Sequence, residues 1–375
     1  MQNAGKAMNK NGKSGNRLDE LMMAQVLEIA ERGRETVSPN PMVGALITRR
    51  DKIISEGYHR FSGGDHAEII ALAGAGRRAK GATLYCNLEP CTHFGKTGPC
   101  VDAVIKAGIE RVVLAMKDPN PINRGRGINI MKKAGIEVRC GVLEPQARKL
   151  NRCFEKFITV GMPYVTVKLA QTLDGRIADG KGNSKWISGK RARKAVHCLR
   201  REKDAVMVGA KTLLNDDPML TARTGGGFKR PYRIVVSTEL DIPISSRILR
   251  EPDKVIIAGG EGAPVYRKRR LEKRGARVIL LPRKDGRTSL RRLMRSLAKM
   301  DITSVLCEGG GELFGSLLAE GVVDEALFFM APLILCGRDS ISSCSGRASS
   351  LVSAYRFRET QVERIGRDIL IRGTL

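Results

Sequence analysis

The chain has 375 residues, of which 42% are hydrophobic and 4% aromatic, and its formal charge is +27. That length exceeds one typical domain and suits two, each with enough apolar content for a core; the shortage of aromatic rings argues against a stacking surface for single-stranded nucleic acid. Nine cysteines, an odd number in a large chain, argue against a disulfide framework.

The first 17 residues are Asn-, Gly- and Lys-rich without an apolar core. They read as a disordered basic tail, neither a signal peptide nor a membrane span. From Leu18 to Arg32, apolar residues recur at helical spacing (Leu21, Met22, Val26, Ile29, Ala30), which predicts an amphipathic helix. Strands are expected at 42–48, 82–88, 111–115 and 136–140. Helices are expected at 66–73, 100–107, 128–134 and 144–160, two of them stopped by Gly108 and Gly135. Gly161-Met162-Pro163 marks a boundary, so the expected organisation is a tail (1–17), a first domain (18–160) and a second (161–375). Second-domain strands are expected at 164–170, 205–209, 232–236, 254–258, 276–281, 304–307 and 325–330, with helices between several of them. Such alternation predicts α/β layering in both halves. No later run approaches the ~18 apolar residues of a membrane span, and a reducing cytoplasm is the expected location.

The excess charge is spread over both halves. Residues 1–160 hold 26 basic and 16 acidic side chains, and residues 161–375 hold 40 and 23. One segment stands out: Arg267 to Lys299 contains 14 basic residues and two acids, Glu272 and Asp285. It reads as a solvated face of a basic protein, and it matches no nucleic-acid motif.

The chemistry-bearing pattern is His66-Ala67-Glu68 followed by Pro90-Cys91 and then Cys100. A catalytic zinc takes three protein ligands and keeps one position open for water. One imidazole and two thiolates supply those three, and Glu68 stands where it can move protons between water and substrate. His66 and Cys100 each open a predicted helix, whose positive end favours a thiolate. On spacing alone His93 could complete a closed structural site instead.

His66-Ala67-Glu68 with Pro90-Cys91 resembles the cytidine-deaminase superfamily, although eight residues separate the cysteines where two to four are usual. The stretch Asn87 to Cys100, with Ser38-Pro39-Asn40-Pro41-Met42-Val43-Gly44, Asp118-Pro119-Asn120-Pro121 and Gly125-Arg126-Gly127, is similar to the bifunctional riboflavin-biosynthesis deaminase/reductases. The resemblance implies an N-terminal cytidine-deaminase-like three-layer α/β/α domain and a C-terminal dihydrofolate-reductase-like α/β domain. It implies deamination of a phosphorylated diaminopyrimidine and then NADPH reduction of its ribosyl chain to ribityl. Zinc (Zn2+) would be held by His66, Cys91 and Cys100, with Glu68 as proton shuttle. Asn40 would touch the pyrimidine, and His93 and Lys96 the substrate phosphate.

Unaided, the second half offers less. No G-x-G-x-x-G fingerprint follows its first strand. The Gly-rich turn at 309–311 opens a helix and could admit a phosphate, but such turns also occur without a ligand. The stretches 173–178, 184–188 and 209–223 resemble the family's reductase half. By that resemblance Ala170, Trp186, Thr212, Asp216, Ser237 and the turn Gly310, Gly311, Glu312, Leu313, Phe314, Gly315 would line the NADPH site. Lys168, Ser184, Arg200, Leu220, Arg223 and Glu308 would face the substrate, with Arg200 and Arg223 suited to phosphate as bidentate forks. As a core residue Trp186 would need no cofactor. The expected partner is a small-molecule substrate within a homo-oligomer, with neither nucleic acid nor membrane. The competing readings are a nucleic-acid deaminase, which has no use for a second reductase-like half, and a non-enzymatic zinc-stabilised binding protein.

Overall fold

The computed structural model describes residues 5–93, 98–223, 230–346 and 350–375, and the chain divides into two compact units, Met1–Gly161 and Met162–Leu375. No described helix is long and apolar enough to cross a membrane.

The first unit runs α1 (Gly5–Glu31), β1 (Gly44–Arg49), β2 (Lys52–Tyr58), α2 (Ala67–Ala75), β3 (Thr83–Leu88), α3 (Cys100–Lys106), β4 (Arg111–Met116), α4 (Arg126–Lys133), β5 (Glu137–Cys140), α5 (Glu144–Val160). The sheet order is β2-β1-β3-β4-β5; β1 is antiparallel to both neighbours and β3, β4 and β5 are parallel. The helices α1 and α5 pack together, as do α2, α3 and α4, giving a layer on each face of the sheet. This is the three-layer arrangement the alternation predicts. One core fills it, from Met23 and Val26 on α1 through Leu84 and Leu114 on the strands to Met131 on α4. The α1 backbone is helical from Gly5, where a disordered tail was expected over 1–17. Once a helix is nucleated on a packed segment, each further residue adds a hydrogen bond at low cost. Asp19, on the same helix, is 1% exposed and receives Arg111 (2.8 and 2.8 Å), Arg139 (2.5 Å) and the Tyr85 hydroxyl (3.0 Å).

The second unit runs β6 (Tyr164–Gln171), β7 (Arg176–Ala178), α6 (Lys190–Glu202), β8 (Ala205–Gly209), α7 (Ala210–Asp216), β9 (Tyr232–Val236), β10 (Val255–Gly260), α8 (Val265–Lys273), β11 (Arg277–Leu281). There follow β12 (Arg283–Lys284), β13 (Arg287–Thr288), α9 (Leu290–Ala298), β14 (Ser304–Cys307), α10 (Gly311–Ala319), β15 (Glu325–Met330), β16 (Ile341–Ser342), β17 (Glu359–Ile365), β18 (Asp368–Thr374). Nine strands form one sheet in the order β11-β10-β9-β8-β14-β6-β15-β18-β17, parallel except for the β15-β18-β17 edge. Side chains alternate across β6: Val165, Val167 and Leu169 join the core beneath α9 and α10, and Lys168 and Ala170 face the other side. On that other side α7 and α8 cover one cluster and α6 another. The basic 267–299 segment becomes α8, the edge strand β11, the β12–β13 hairpin and α9, with most of its charged side chains exposed.

Candidate functional site

In the first unit, β3 ends at Leu88 and delivers Glu89-Pro90-Cys91 to the C-terminal edge of the sheet. His66 is the N-cap of α2, and Cys100 is the first residue of α3. Three chain segments therefore converge. His66 Nδ1 lies 3.1 Å from Cys100 Sγ and 3.5 Å from Cys91 Sγ, and the Cys100 N–H points at Cys91 Sγ from 3.4 Å. All three ligand atoms lie within 4.8 Å of one another. One imidazole with two thiols is a zinc donor set that leaves a fourth position for water. The Cys91 thiol is pulled well below its ordinary value by the hydrogen bond from Cys100, with His66 assisting, and Cys100 is pushed up in exchange.

Glu68 lies in the first turn of α2 and is 3% exposed. Burial pushes its carboxyl up, and the adjacent His66 opposes the shift. A carboxyl that protonates readily beside the ligand cluster suits proton transfer. Asn40 hydrogen-bonds through Nδ2 to His59 Nε2 at 3.0 Å, and His59 Nδ1 lies 2.9 Å from the Asp65 carbonyl. The carbonyl fixes the His59 tautomer: Nδ1–H donates, and Nε2 accepts from Asn40. Burial also lowers the His59 pKa, which keeps the ring neutral. The sequence analysis gives His59 no role; its value lies in orienting Asn40, 19 residues away, which spacing cannot reveal. His93 is exposed. Lys96, expected to face a phosphate, lies outside the described residues.

The second unit holds a cavity of about 730 Å³ at the C-terminal ends of β6, β14 and β8, where the strand order reverses. Ligands of open α/β sheets bind at that switch point. Lys168, Ala170, Ser184, Trp186, Arg200, Thr212, Asp216, Leu220, Arg223, Glu308 and Gly310, all singled out from the sequence, line it. At its centre Glu308 takes a two-pronged bond from Arg200, Nε at 2.5 Å and Nη2 at 2.9 Å, and Arg200 Nη1 donates to the Thr221 carbonyl at 3.1 Å. Burial pushes the Glu308 carboxyl up, and the Arg200 guanidinium more than offsets it. Burial pulls Lys168 down from the ordinary lysine range, against the pull of Glu308. The fork of Arg200 is thus engaged by Glu308 and by the backbone, which differs from the phosphate contact expected of it. Arg223 is exposed at the rim, beside Lys190, Arg193, Lys194 and Arg247. Trp186 is 67% exposed with Arg193 4.3 Å above its ring, which excludes a core role.

Ser237, Gly311, Glu312, Leu313, Phe314 and Gly315 were expected at the cofactor site but lie outside this lining, each for a local reason. Ser237 is buried, and its hydroxyl accepts the Asp241 N–H at 3.0 Å to close a turn. Leu313 and Phe314 belong to the core. Glu312 pairs with Lys211 at 2.5 Å. A Cβ on Gly311 would meet the Ser342 carbonyl oxygen at 2.5 Å, and one on Gly315 would overlap that of Ser345. Both glycines therefore admit the 342–345 backbone against α10. For a dinucleotide cofactor the fit rests on the cavity's size, its cationic rim, and Gly309 and Gly310 at the start of α10.

Comparison with known proteins adds the following. Residues 16–116 match the family described as the cytidine and deoxycytidylate deaminase zinc-binding region, and residues 163–371 match the RibD C-terminal domain. The riboflavin biosynthesis protein RibD of Aquifex aeolicus is 42% identical over 356 residues, 94% of this chain and 98% of that protein. The Escherichia coli protein of the same name is 38% identical over 366 residues, 94% and 98%. The solved structure of Acinetobacter baumannii RibD superposes with a TM-score of 0.87 at 37% identity, covering 96% of this chain and 99% of that one. A Thermotoga maritima diaminohydroxyphosphoribosylaminopyrimidine deaminase/5-amino-6-(5-phosphoribosylamino)uracil reductase superposes at 0.85 with 35% identity, covering 96% and 99%.

Proposed function

The chain belongs to the RibD family of bifunctional riboflavin-biosynthesis enzymes, with a zinc-dependent deaminase domain and an NADPH-dependent reductase domain, and on that premise we propose how its own residues divide the work. The two domains are 18–160 and 161–375. The substrate is 2,5-diamino-6-ribosylamino-4(3H)-pyrimidinone 5′-phosphate, a small pyrimidine.

His66, Cys91 and Cys100 hold the zinc, which when bound acidifies water enough to attack a ring carbon near neutral pH. Glu68 would take the proton released by that water and pass it to the ring nitrogen, then take the second proton from the hydroxyl now on the ring carbon and pass it to the departing amine, so that the C–N bond breaks as the C=O forms and ammonia leaves. Asn40, oriented by His59, presents its amide to the pyrimidine. His93 and Lys96 take the 5′-phosphate. The second domain would hold NADPH, which when bound would supply a hydride for reducing the ring-opened ribose. Lys168, the Arg200-Glu308 pair, Ser184 and Leu220 hold the sugar and pyrimidine, and Arg223 takes the phosphate. Ala170, Trp186, Thr212, Asp216 and the turn at Gly310 carry the cofactor. The compartment is the cytoplasm and the active form a homo-oligomer.

The observation that carries this reading is the convergence of His66, Cys91 and Cys100 within 4.8 Å beside the buried Glu68. The test is incubation of the purified protein with the diaminopyrimidine phosphate, following ammonia and NADPH absorbance together. Ammonia release without NADPH, followed by NADPH consumption matching the product formed, is expected. NADPH consumption with no ammonia would overturn the order of the two steps.

A further inference from the structure

The segment from Asp118 to Ile128 contributes no proposed zinc ligand, yet it is built around the turn that carries Cys91. Glu89 is 3% exposed, and its two oxygens accept the backbone N–H groups of Asp118 (3.1 Å), Gly125 (2.8 Å) and Ile128 (3.1 Å). Asn123 is fully buried, and both ends of its amide are used. Its Oδ1 accepts the N–H and the hydroxyl of Thr92 (3.0 and 2.8 Å). Its Nδ2 donates to the Pro90 carbonyl (3.3 Å) and to Asp118 Oδ2 (3.0 Å). The segment also lies flush against the turn: a Cβ on Gly127 would stand 2.6 Å from the Pro90 oxygen. Residues 89, 90 and 92, on either side of the ligand itself, are thus each tied to this one segment. Cys91 is instead held from the α3 side, its carbonyl accepting the Val101 N–H at 3.3 Å and its sulfur the Cys100 N–H at 3.4 Å.

A buried carboxylate and a buried amide are expensive ways to fill space; apolar side chains of the same volume stabilise a core at least as well. What a fully satisfied polar network adds is a single permitted geometry. The structure points to Asn123 and Glu89 as positioning residues for the metal: we propose that they set the position of the Cys91 sulfur and so tune zinc affinity and the rate of the deamination step. The inference rests on the proposed ligand set, and it gives a role to Asp118-Pro119-Asn120-Pro121 and Gly125-Arg126-Gly127, which the catalytic reading leaves without one.

The test uses full-length Asn123→Ala, Glu89→Gln and Asn123→Asp proteins. Zinc affinity is measured by competition with a chromophoric chelator, geometry by the absorption spectrum of the cobalt-substituted protein, and integrity by NADPH-dependent reduction in the same preparations. The first two variants are expected to bind zinc roughly 10–100-fold more weakly, with an altered cobalt spectrum, a lower kcat for ammonia release and little change in KM. In Asn123→Asp, a protonated carboxyl can restore one of the two donated bonds, to Asp118 or to Pro90, so its zinc affinity relative to wild type should rise as the pH is lowered. That ratio decides the matter if the other two variants fail to fold. Wild-type zinc affinity and an unchanged cobalt spectrum in folded variants, or a pH-independent ratio, overturns the proposal alone. A wild-type protein that binds no zinc overturns the ligand set and this inference with it.

Discussion

Glu68 illustrates how a residue's role follows from its surroundings. It is the second residue of α2 and 3% exposed, so burial favours its neutral form beside the ligand cluster. Replacing it with Gln keeps size and removes the proton-accepting group. Glu68→Gln should retain zinc by metal analysis and lose ammonia release by about 10²–10⁴-fold; retained turnover refutes the shuttle role. Asp19 is the contrasting case, a buried carboxylate with a structural task. Burial pushes its carboxyl up, but the hydrogen bonds from Arg111, Tyr85 and Arg139 outweigh this and leave it below the ordinary value of 3.8. A depressed folded-state pKa contributes stability that is complete above the unfolded value and is lost as pH falls through the folded one. Asp19→Asn should therefore flatten the dependence of melting temperature on pH below about 5. Asp19→Ala should cost about 2 kcal/mol, less than a wholly buried pair would, because Arg111 and Arg139 stay 26% and 32% exposed. Asp19 was invisible in the sequence because its partners lie 92 and 120 residues away; His66 and Glu68 were legible because their chemistry is local.

At the scale of elements, strands with continuous apolar runs were read almost residue for residue: 205–209, 232–236, 304–307 and 325–330 all match. Among the edge strands, β5 and β11 were read to within a residue, and β2 and β17 were not. β2 mixes exposed and half-buried positions, and β17 is exposed along nearly its whole length, paired only with β18. A strand with one neighbour and this little burial carries no hydrophobic periodicity to mark it. The Gly-rich start of α10 carries the opposite lesson. Its sequence suggests a phosphate cradle, and the structure gives Gly311 and Gly315 a steric task against residues 342–345. Gly315→Ala should displace that segment and cost about 1–3 kcal/mol in thermal unfolding; an unchanged melting curve contradicts the close approach.

At the scale of the whole molecule, each unit encloses its own core, the first around β3 and β4 and the second on both faces of a nine-stranded sheet. Damage to one chemistry should then spare the other. Cys91→Ser should lower zinc content and abolish deamination while NADPH-dependent reduction of the deaminated intermediate continues. Arg223→Ala should raise the KM for that intermediate and leave ammonia release unchanged. Parallel loss of both activities in either variant, measured on separate substrates, would show that the sites are not independent.

The sequence by itself determined the two α/β units, the boundary near Gly161, the His-Cys-Cys and Glu68 set, and most residues of the second cavity. The first three depend on apolar periodicity and on short spacings along the chain, and the cavity residues on the resemblance of their motifs to the family's reductase half. Only the tertiary structure decided that Arg200 is bound to Glu308, that His59 turns Asn40, that Gly311 and Gly315 make room for a neighbouring segment, and that Glu89 and Asn123 grip the turn around Cys91. Each of those pairings joins residues 19 to 108 positions apart or depends on a close approach of backbones. A linear pattern carries no record of which buried polar groups will meet; folding brings them together, and burial then requires that each find a partner.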